Sequence, residues 1–211
     1  MHIKNKMVVV TECQYFGSID FYKTSIDFSY WKLEQYLNWE KGLHLNRCYL
    51  SGPNNPLVLS VPLEAGRGQK TLVKDVRISY RENWGLRHWR SIHDAYRRSP
   101  WFEYYAHTLE PLFRERPVYL DAWNRKTLEW VLGQLKWTGT LGQTETFRAE
   151  YPETEAIDKR GKYLGAPVAG SEVPYAYTQV FGDRHGFMGN LCILDLLFCE
   201  GPAAREVLEG R

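Results

Sequence analysis

The apolar positions in the first part of the chain fall into short runs. Residues 7–13 (MVVVTEC) open with four consecutive apolar side chains, a pattern that predicts a strand buried on both faces. Residues 57–63 (LVLSVPL) predict a second strand, which ends near Pro62. In residues 73–80 apolar and polar positions alternate, which predicts a half-buried strand. We expect this strand to pair antiparallel with 57–63.

Elsewhere the apolar period lengthens to that of a helix. Residues 18–27 predict a helix with Ser18 as its N-cap. A stripe at i, i+3, i+4 and i+7 predicts a helix from residue 86, with these residues inward: Trp89, Ile92, His93 and Tyr96. Ser99-Pro100 predicts the end of that helix and the start of the next one. Residues 120–137 predict a third long helix.

The last third of the chain is less regular. Residues 138–174 are polar and rich in Gly, Pro and Glu, which predicts a lid-like loop with a short strand, or a mobile segment. Residues 174–181 predict a strand, and Asn190 is the expected N-cap of a helix over 191–198. The elements together predict an α/β (or α+β) fold. We expect a single domain over 1–211, with an N-terminal buried strand, an antiparallel strand pair and central helices.

Composition supports a globular protein and excludes several classes. The chain has 44% hydrophobic and 25% charged residues, which excludes a disordered chain. No apolar run reaches the roughly 20 residues of a membrane-spanning helix, and the N-terminal run is too short for a signal peptide. We therefore expect a cytoplasmic protein. The oligomeric state does not follow from the sequence.

Cysteine spacing and glycine content argue against a metal site or a cofactor. The four cysteines contain no CxxC pair, so we expect reduced thiols in the core and no bound metal. Cys13, at the end of the first predicted strand, could be a nucleophile, but an inert buried thiol is the commoner outcome. No dinucleotide or phosphate-loop signature is present, so no cofactor is predicted.

Charge is uneven along the chain. The overall formal charge is +2, whereas residues 67–98 contain nine Lys or Arg and three acidic residues, a local charge of +6. This segment is either a solvated basic face or part of a pocket for a small anionic ligand, such as a nucleotide sugar, which arginine binds through its planar fork. The small overall charge does not favour nucleic acid as the partner.

Several motifs, in order, resemble the WbqC-like family of bacterial proteins. Asn46-Arg47-Cys48 precedes a Gly-Pro turn, LSVPL and VKDVRIS. The block NWGLRHWRSIHDAYRRSPWFEYY follows, and then YLDAWNRKTLEWVLGQL and HGFMGNLCILDLLFCEGP. The resemblance implies a component of bacterial surface-polysaccharide or O-antigen gene clusters. The positions matched to the family pattern are Gln14, Tyr15, Asn46, Arg47, Trp84, His88, Trp89, Tyr96, Ser99, Pro100, Asn190 and Asp195.

We distinguish candidate roles for some of these positions and for Arg90, which lies in the central block. His88, at the border of the buried stripe, is the candidate general base; the alternative is a histidine that hydrogen-bonds locally. Arg47 and Arg90 are the candidate anion contacts. Asn46 could hydrogen-bond an amide or a sugar hydroxyl, or could shape a turn. The remaining candidates form the binding site: Gln14, Tyr15, Trp84 and Asn190.

Two functions from different classes follow. The first is an enzyme of surface-polysaccharide biosynthesis, a group transferase acting on an activated sugar or another anionic metabolite. The second is a non-catalytic binding or scaffold protein of the polysaccharide assembly machinery. A cleft joining residues 13–15, 46–47 and 84–90 would favour the enzyme, and a flat aromatic patch elsewhere would favour the scaffold.

Overall fold

The computed structural model describes residues 8–40, 45–65, 71–163, 167 and 173–210. Parallel strands, a separate hairpin and several helices share one hydrophobic core, and the fold is a single-domain α/β structure. The predicted fold class is therefore confirmed. The predictions for Met7, Arg67 and Lys70 lie outside the described residues.

A four-stranded parallel sheet has the predicted N-terminal strand at its centre. Its strands, in spatial order, are β5 (Thr140–Gln143), β2 (Tyr30–Glu34), β1 (Val8–Glu12) and β6 (Ile157–Asp158). β1 pairs in parallel with β2 on one side and with β6 on the other. This position explains the continuous apolar run, because a central parallel strand is covered on both faces.

The strand order creates a switch point between β1 and β6. From β1 the chain moves to β2 and then outward to β5, and it later crosses back to place β6 on the opposite side of β1. In open α/β sheets, ligands bind in the crevice beyond the carboxyl ends of the strands where the order reverses. Residues that follow β1 and β6 are therefore the first to inspect for a site.

The antiparallel pair exists, but one of its strands differs from the prediction. β4 (Leu57–Ser60) pairs with β3 (Arg47–Leu50) and not with residues 73–80. In the latter segment Val73–Asp75 is a 3₁₀ turn, and only an isolated bridge joins Ile78 to Leu63. The 3₁₀ turn takes Val73–Asp75 out of the extended conformation, so this segment offers β4 no continuous strand edge.

Seven helices surround the strands in the described part of the chain. Their bounds are α1 Ile19–Lys23, α2 Trp84–Tyr96, α3 Phe102–Leu109, α4 Leu120–Gln134, α5 Gly182–His185, α6 Ile193–Glu200 and α7 Ala204–Glu209. Ser18 caps α1 as predicted, since its hydroxyl accepts a hydrogen bond from the Phe21 amide. The described part of 138–174 contributes β5 and β6 to the main sheet.

Two predicted N-caps and one predicted strand are wrong. Ser99 does not cap α3, because its hydroxyl donates to the Tyr96 carbonyl at the end of α2. Cys192, not Asn190, is the N-cap residue of α6. Residues 174–181 form no strand; the segment is held instead by side-chain hydrogen bonds of Gln179. Local hydrogen bonds between the Ser99 and Gln179 side chains and the backbone compete with the predicted structure here.

The buried face of α2 is rotated relative to the predicted stripe. Its buried residues are Trp84, Gly85, His88, Ile92 and Tyr96. His93, predicted to face the core, has a side chain that is 46% exposed. His88, predicted at the border, is only 4% exposed. Residues 84, 88, 92 and 96 are spaced by four and form one face of a helix, as the predicted stripe also does. Tertiary packing decides which of the two faces is buried.

Gly85 allows α2 to approach the 3₁₀ turn Glu110–Arg114 closely. A Cβ atom at residue 85 would lie 2.4 Å from the Phe113 carbonyl oxygen. We expect Gly85→Ala to destabilise the fold by about 1–3 kcal/mol, because the backbone must shift despite the better helix propensity of alanine. Gly133→Ala in α4 is the matched control. Its Cβ meets nothing within 4 Å, so it should stabilise the fold by about 0.5–1 kcal/mol.

Urea unfolding of both glycine variants measures these effects. Equal destabilisation by the two variants would contradict the close approach of α2 to the turn, since alanine at residue 133 has no steric conflict.

Candidate functional site

A narrow crevice lies beyond the carboxyl end of β1. One wall is the loop after β1, and the facing wall is the segment before α6. Ser18 forms an isolated antiparallel bridge with Cys192, and the Ile193 amide donates to the Gly17 carbonyl at 3.0 Å. Side chains from four parts of the chain line the crevice: Gln14, Ser18, Arg47, Tyr49, Tyr163 and Asn190. Its enclosed volume is about 20 Å³, little more than one water molecule occupies.

Left-handed backbone conformations cluster beside this crevice. Phe16 and Gly17 have φ angles of 54° and 55°, and Asn190 has a φ angle of 58°. A side chain at residue 17 would meet the Phe21 ring at 2.9 Å, so glycine is required there for two reasons. Residues with side chains pay roughly 1–2 kcal/mol for this conformation, and such residues concentrate at binding sites.

Helix α4 holds the crevice walls together. The Asn124 side-chain amide donates to the Cys13 carbonyl at 2.9 Å and to the Leu45 carbonyl at 2.8 Å. The Tyr15 amide also donates to Leu45 at 3.2 Å. Asn124 thus joins the residue that follows β1 to Leu45, two residues before β3. Its fully buried position gave no signal in the sequence, because a single Asn in a helical stripe is ordinary.

Some polar side chains of the crevice are hydrogen-bonded within the protein, and Arg47 differs from them. Gln14 is nearly buried and donates to Glu12 Oε1 at 3.2 Å. Asn190 Oδ1 accepts from the Asp20 amide at 3.2 Å. Arg47 is half-buried, and its guanidinium makes no ion pair with any residue that the structure describes. The crevice therefore presents one positive charge that is not neutralised by these described neighbours.

His88 and Trp84 lie behind the crevice, in the core. The Tyr15 hydroxyl and His88 Nδ1 are 3.0 Å apart, and the rings of Trp84 and His88 meet edge to face. Burial, and secondarily the charge of Arg87, lowers the pKa of His88 to about 4, although a hydrogen bond to the Ser60 backbone opposes the shift. The imidazole is therefore neutral at pH 7, and its hydrogen-bond partners are the Tyr15 hydroxyl and the Ser60 backbone.

The other predicted site residues lie outside the crevice. The Asn46 side-chain amide donates to the Val61 carbonyl at 2.8 Å and so joins the residue before β3 to the residue after β4. Arg90 is exposed on α2 and does not line the crevice. Residues 13–15 and 46–47 are thus joined, and His88 contacts them through Tyr15. The contact between them is packed, with no deep cleft along it in the described part of the chain.

The arginines of the basic segment divide between the surface and a separate cavity. Arg77 and Arg87 form exposed ion pairs with Glu64 and Glu82. Arg97 and Arg98, with the distant Arg184, line a cavity of about 640 Å³ at the end of α2. Both interpretations of this segment, solvated face and anion pocket, therefore stay open.

The cysteines are free and buried, as predicted. Burial raises the pKa of the Cys13 thiol well above its ordinary value. Burial also raises the pKa of Cys48, and a hydrogen bond with Cys192 adds to this effect. Protonated thiols are poor nucleophiles, which supports the inert interpretation of Cys13.

A buried ionic cluster occupies the carboxyl ends of three strands. Glu12 ends β1, Glu34 ends β2 and Asp158 ends β6. Arg160 Nη1 contacts Glu34 Oε2 at 3.0 Å, and its Nη2 contacts Asp158 Oδ2 at 2.6 Å. The Arg160 and Glu34 side chains are 8% and 0% exposed. We define these four residues as the strand-end cluster. Sequence reasoning missed it, although acidic residues directly after apolar strand positions were a usable signal.

Glu12 connects the cluster to the crevice. Its Oε1 accepts from Gln14, and its Oε2 accepts from the Gly161 amide at 3.0 Å. Burial raises the pKa of Glu12, while the hydrogen bonds from Gly161 and Gln14 oppose the shift. For Asp158, burial raises the pKa, but the hydrogen bonds from Arg160 outweigh it and the pKa is lowered.

A cavity of about 490 Å³ opens beside the strand-end cluster. Its walls include Tyr36, Asn38, Glu40, Phe147 and Arg160. The residues belong to the segments that follow β2, β5 and β6. The cavity lies at the carboxyl edge of the sheet, and its β6 side borders the switch point between β1 and β6.

Two further features constrain the chemistry. The described residues contain no group of three or more His, Cys, Asp and Glu side chains placed to hold a metal ion. Among those same ranges, no helix combines the length and apolarity needed to cross a membrane.

Comparison with known proteins agrees with the motifs. No curated protein and no solved structure matches the chain. The model of the WbqC-like protein family matches residues 13–166, which include the crevice residues Gln14 and Arg47 and the whole strand-end cluster except Glu12. The match spans well over half of the sequence, and the chain belongs to the WbqC-like protein family.

Proposed function

We propose that the protein is an enzyme of bacterial surface-polysaccharide biosynthesis, a group transferase that acts on an activated sugar or another anionic metabolite. The anionic group binds at the mouth of the crevice beyond β1. The observation that carries this proposal is the half-buried Arg47 guanidinium, which has no ion-pair partner among the described residues. Family membership supports the biological setting.

The crevice chemistry fits an anion better than a neutral group. A guanidinium presents five N–H donors in a fixed fork that matches phosphate or carboxylate oxygens. Gln14 and Asn190 place side-chain amides on the same walls. The enclosed volume is too small for a whole metabolite. The anionic group would therefore contact the rim, and the remainder of the ligand would lie outside it.

His88 as the general base stays a prediction within this proposal. Its pKa of about 4 makes it neutral but only weakly basic at pH 7, and it is buried behind Tyr15. His88 can instead position Tyr15 through their hydrogen bond, a role that does not require contact with solvent or substrate. The role of Arg90 as a second anion contact also stays a prediction. Because Arg90 lies on α2 outside the crevice, its variant shows whether an anion binds on α2 or in the crevice.

Arg47→Ala is expected to weaken the binding of an anionic ligand about tenfold or more, because it removes charge-assisted hydrogen bonds. Thermal stabilisation and calorimetric titration with UDP-glucose, UDP and inorganic phosphate measure the affinity, since a ligand of the native state raises its stability. Arg90→Ala tests the predicted second anion contact, and Arg81→Ala is the matched control, since Arg81 is also exposed and lies outside the crevice.

The Arg47 and Arg90 variants give different outcomes for each site. A loss in Arg47→Ala alone supports the crevice. A loss in Arg90→Ala alone places the anion on α2 and overturns the crevice assignment. If wild type and both variants bind every anionic probe equally, or not at all, the proposed anion site is wrong.

The scaffold alternative rests on the exposed side of the hairpin. Leu57 and Val58 are adjacent, apolar and exposed on β4. Apolar residues on an exposed strand can bind a partner by strand addition. A failure of all anionic probes, together with a change in partner binding on Val58→Lys, would favour this alternative.

A further inference from the structure

The cavity beside the strand-end cluster is chemically unlike the crevice. Its charged lining residues are Glu40, Asp158 and Arg160, which sum to a charge of −1. Arg160 is already fully engaged: Asp158, Glu34 and the carbonyls of Arg148 and Ala149 accept from its guanidinium. It therefore has no donor left for a ligand. The cavity offers acceptors, and an anionic ligand would be repelled.

Two aromatic rings line the same cavity. Phe147 is 52% exposed, which is unusual for a large apolar side chain, and Tyr36 lies on the wall formed by the segment after β2. The Arg160 guanidinium lies 5.7 Å from the centre of the Phe147 ring. An exposed ring held against a buried ion pair offers a flat apolar face of defined orientation.

An aromatic face next to polar acceptors matches one class of ligand well. A sugar ring has an apolar face of C–H groups, which stacks on aromatic rings, and a rim of hydroxyl groups, which donate hydrogen bonds. Glu40 and Asn38 supply acceptors around the aromatic rings, whereas both carboxyl oxygens of Asp158 already accept from Arg160. The volume of about 490 Å³ accommodates one or two sugar rings.

We propose that this cavity binds a neutral or amino sugar, as the second substrate of the transferase. That the sugar is a substrate rests on the proposed function. That the cavity binds a sugar does not depend on it. The crevice and the cavity lie at the same end of the sheet. Glu12 joins them, because one carboxyl oxygen bonds Gln14 of the crevice and the other bonds Gly161 of the cavity.

The test measures sugar binding directly. Methyl glycosides of glucose, N-acetylglucosamine and glucosamine are titrated by saturation-transfer NMR and calorimetry, with methyl glucuronide as the anionic comparison. At least one uncharged or amino glycoside should bind saturably, and Phe147→Ala should weaken it about tenfold. Tyr104→Ala is the matched control, since Tyr104 is a 56% exposed aromatic residue on α3 that does not line the cavity.

Each outcome is decisive. Equal affinity in the Phe147 and Tyr104 variants, preferential binding of the glucuronide, or no saturable binding of any glycoside would overturn the proposal. Retained glycoside binding with no anion binding would refute the proposed anion site alone, and the reverse result would refute the sugar site alone.

Discussion

Arg160→Met is expected to destabilise the protein by about 3–5 kcal/mol, the effect of leaving a buried charge without its partner. Glu34 is fully buried, and Arg160 is its only cationic partner in the described ranges. Thr144 and the Tyr36 amide also donate to Glu34, but neither donor carries a charge. Urea unfolding at pH 7 measures the loss.

Two comparisons separate this effect from a general loss of arginine. Arg148→Met breaks the exposed ion pair with Glu155 and should change stability by less than about 1 kcal/mol. The double variant Glu34→Gln, Arg160→Met removes both charges, so its destabilisation should be smaller than the sum of the single effects. Additive losses would mean that the two side chains do not interact.

The buried His88 should make stability fall in mild acid. Its pKa is about 4 in the folded protein and near 6.5 when unfolded, so the unfolded chain binds more protons between these values. The stabilisation is complete above pH 6.5 and is lost as the pH falls towards 4. The difference amounts to about 2 kcal/mol between pH 7 and pH 5, and about 3 kcal/mol at pH 4.

His88→Gln isolates this contribution from other titrating groups. Asp195, for example, opposes it: burial raises its pKa to about 6, which favours the folded state in acid. The free energy of unfolding is measured for both proteins at pH 5 and pH 7. Glutamine has no charge to gain, so the wild-type advantage over His88→Gln should shrink by about 2 kcal/mol at pH 5. If the wild-type advantage in unfolding free energy does not change with pH, the pKa of His88 is the same in the folded and unfolded states.

The sequence pattern correctly predicted those helices and strands whose formation depends on neighbouring residues in the sequence. The continuous apolar run of β1 and the Ser18 cap of α1 were both correct, because each depends on a few neighbouring side chains. The i, i+4 spacing also placed α2 and α4 correctly along the chain. The predicted face of α2 was wrong, since two faces are almost equally apolar and only tertiary contacts decide between them.

Pairings between distant residues could not be predicted from local pattern. β4 was assigned the wrong partner, and the approach of Arg160 to Glu34 spans 126 positions. Apolar periodicity indicates that a strand is buried, but it does not identify the neighbouring strand. The strand-end cluster depends on these pairings, so it became visible only in the structure.

The candidate site was predicted in part. Gln14 was placed beyond a buried strand by analogy with other α/β folds, and the structure brings it together with Arg47 and Asn190. Gln14 and Arg47 lie within the residues that the family model matches, and such a model combines distant positions in a way that periodicity cannot. The burial of His88, by contrast, followed from packing against Tyr15.

The strand order of the parallel sheet also has consequences for folding. β1 is flanked by β2, which follows it closely in sequence, and by β6, which lies near residue 158. During synthesis one edge of β1 therefore stays without its native neighbour until most of the chain has emerged. Contacts of such long sequence separation slow folding and expose an apolar strand in the meantime. We expect slow refolding and a benefit from chaperones that shield this edge.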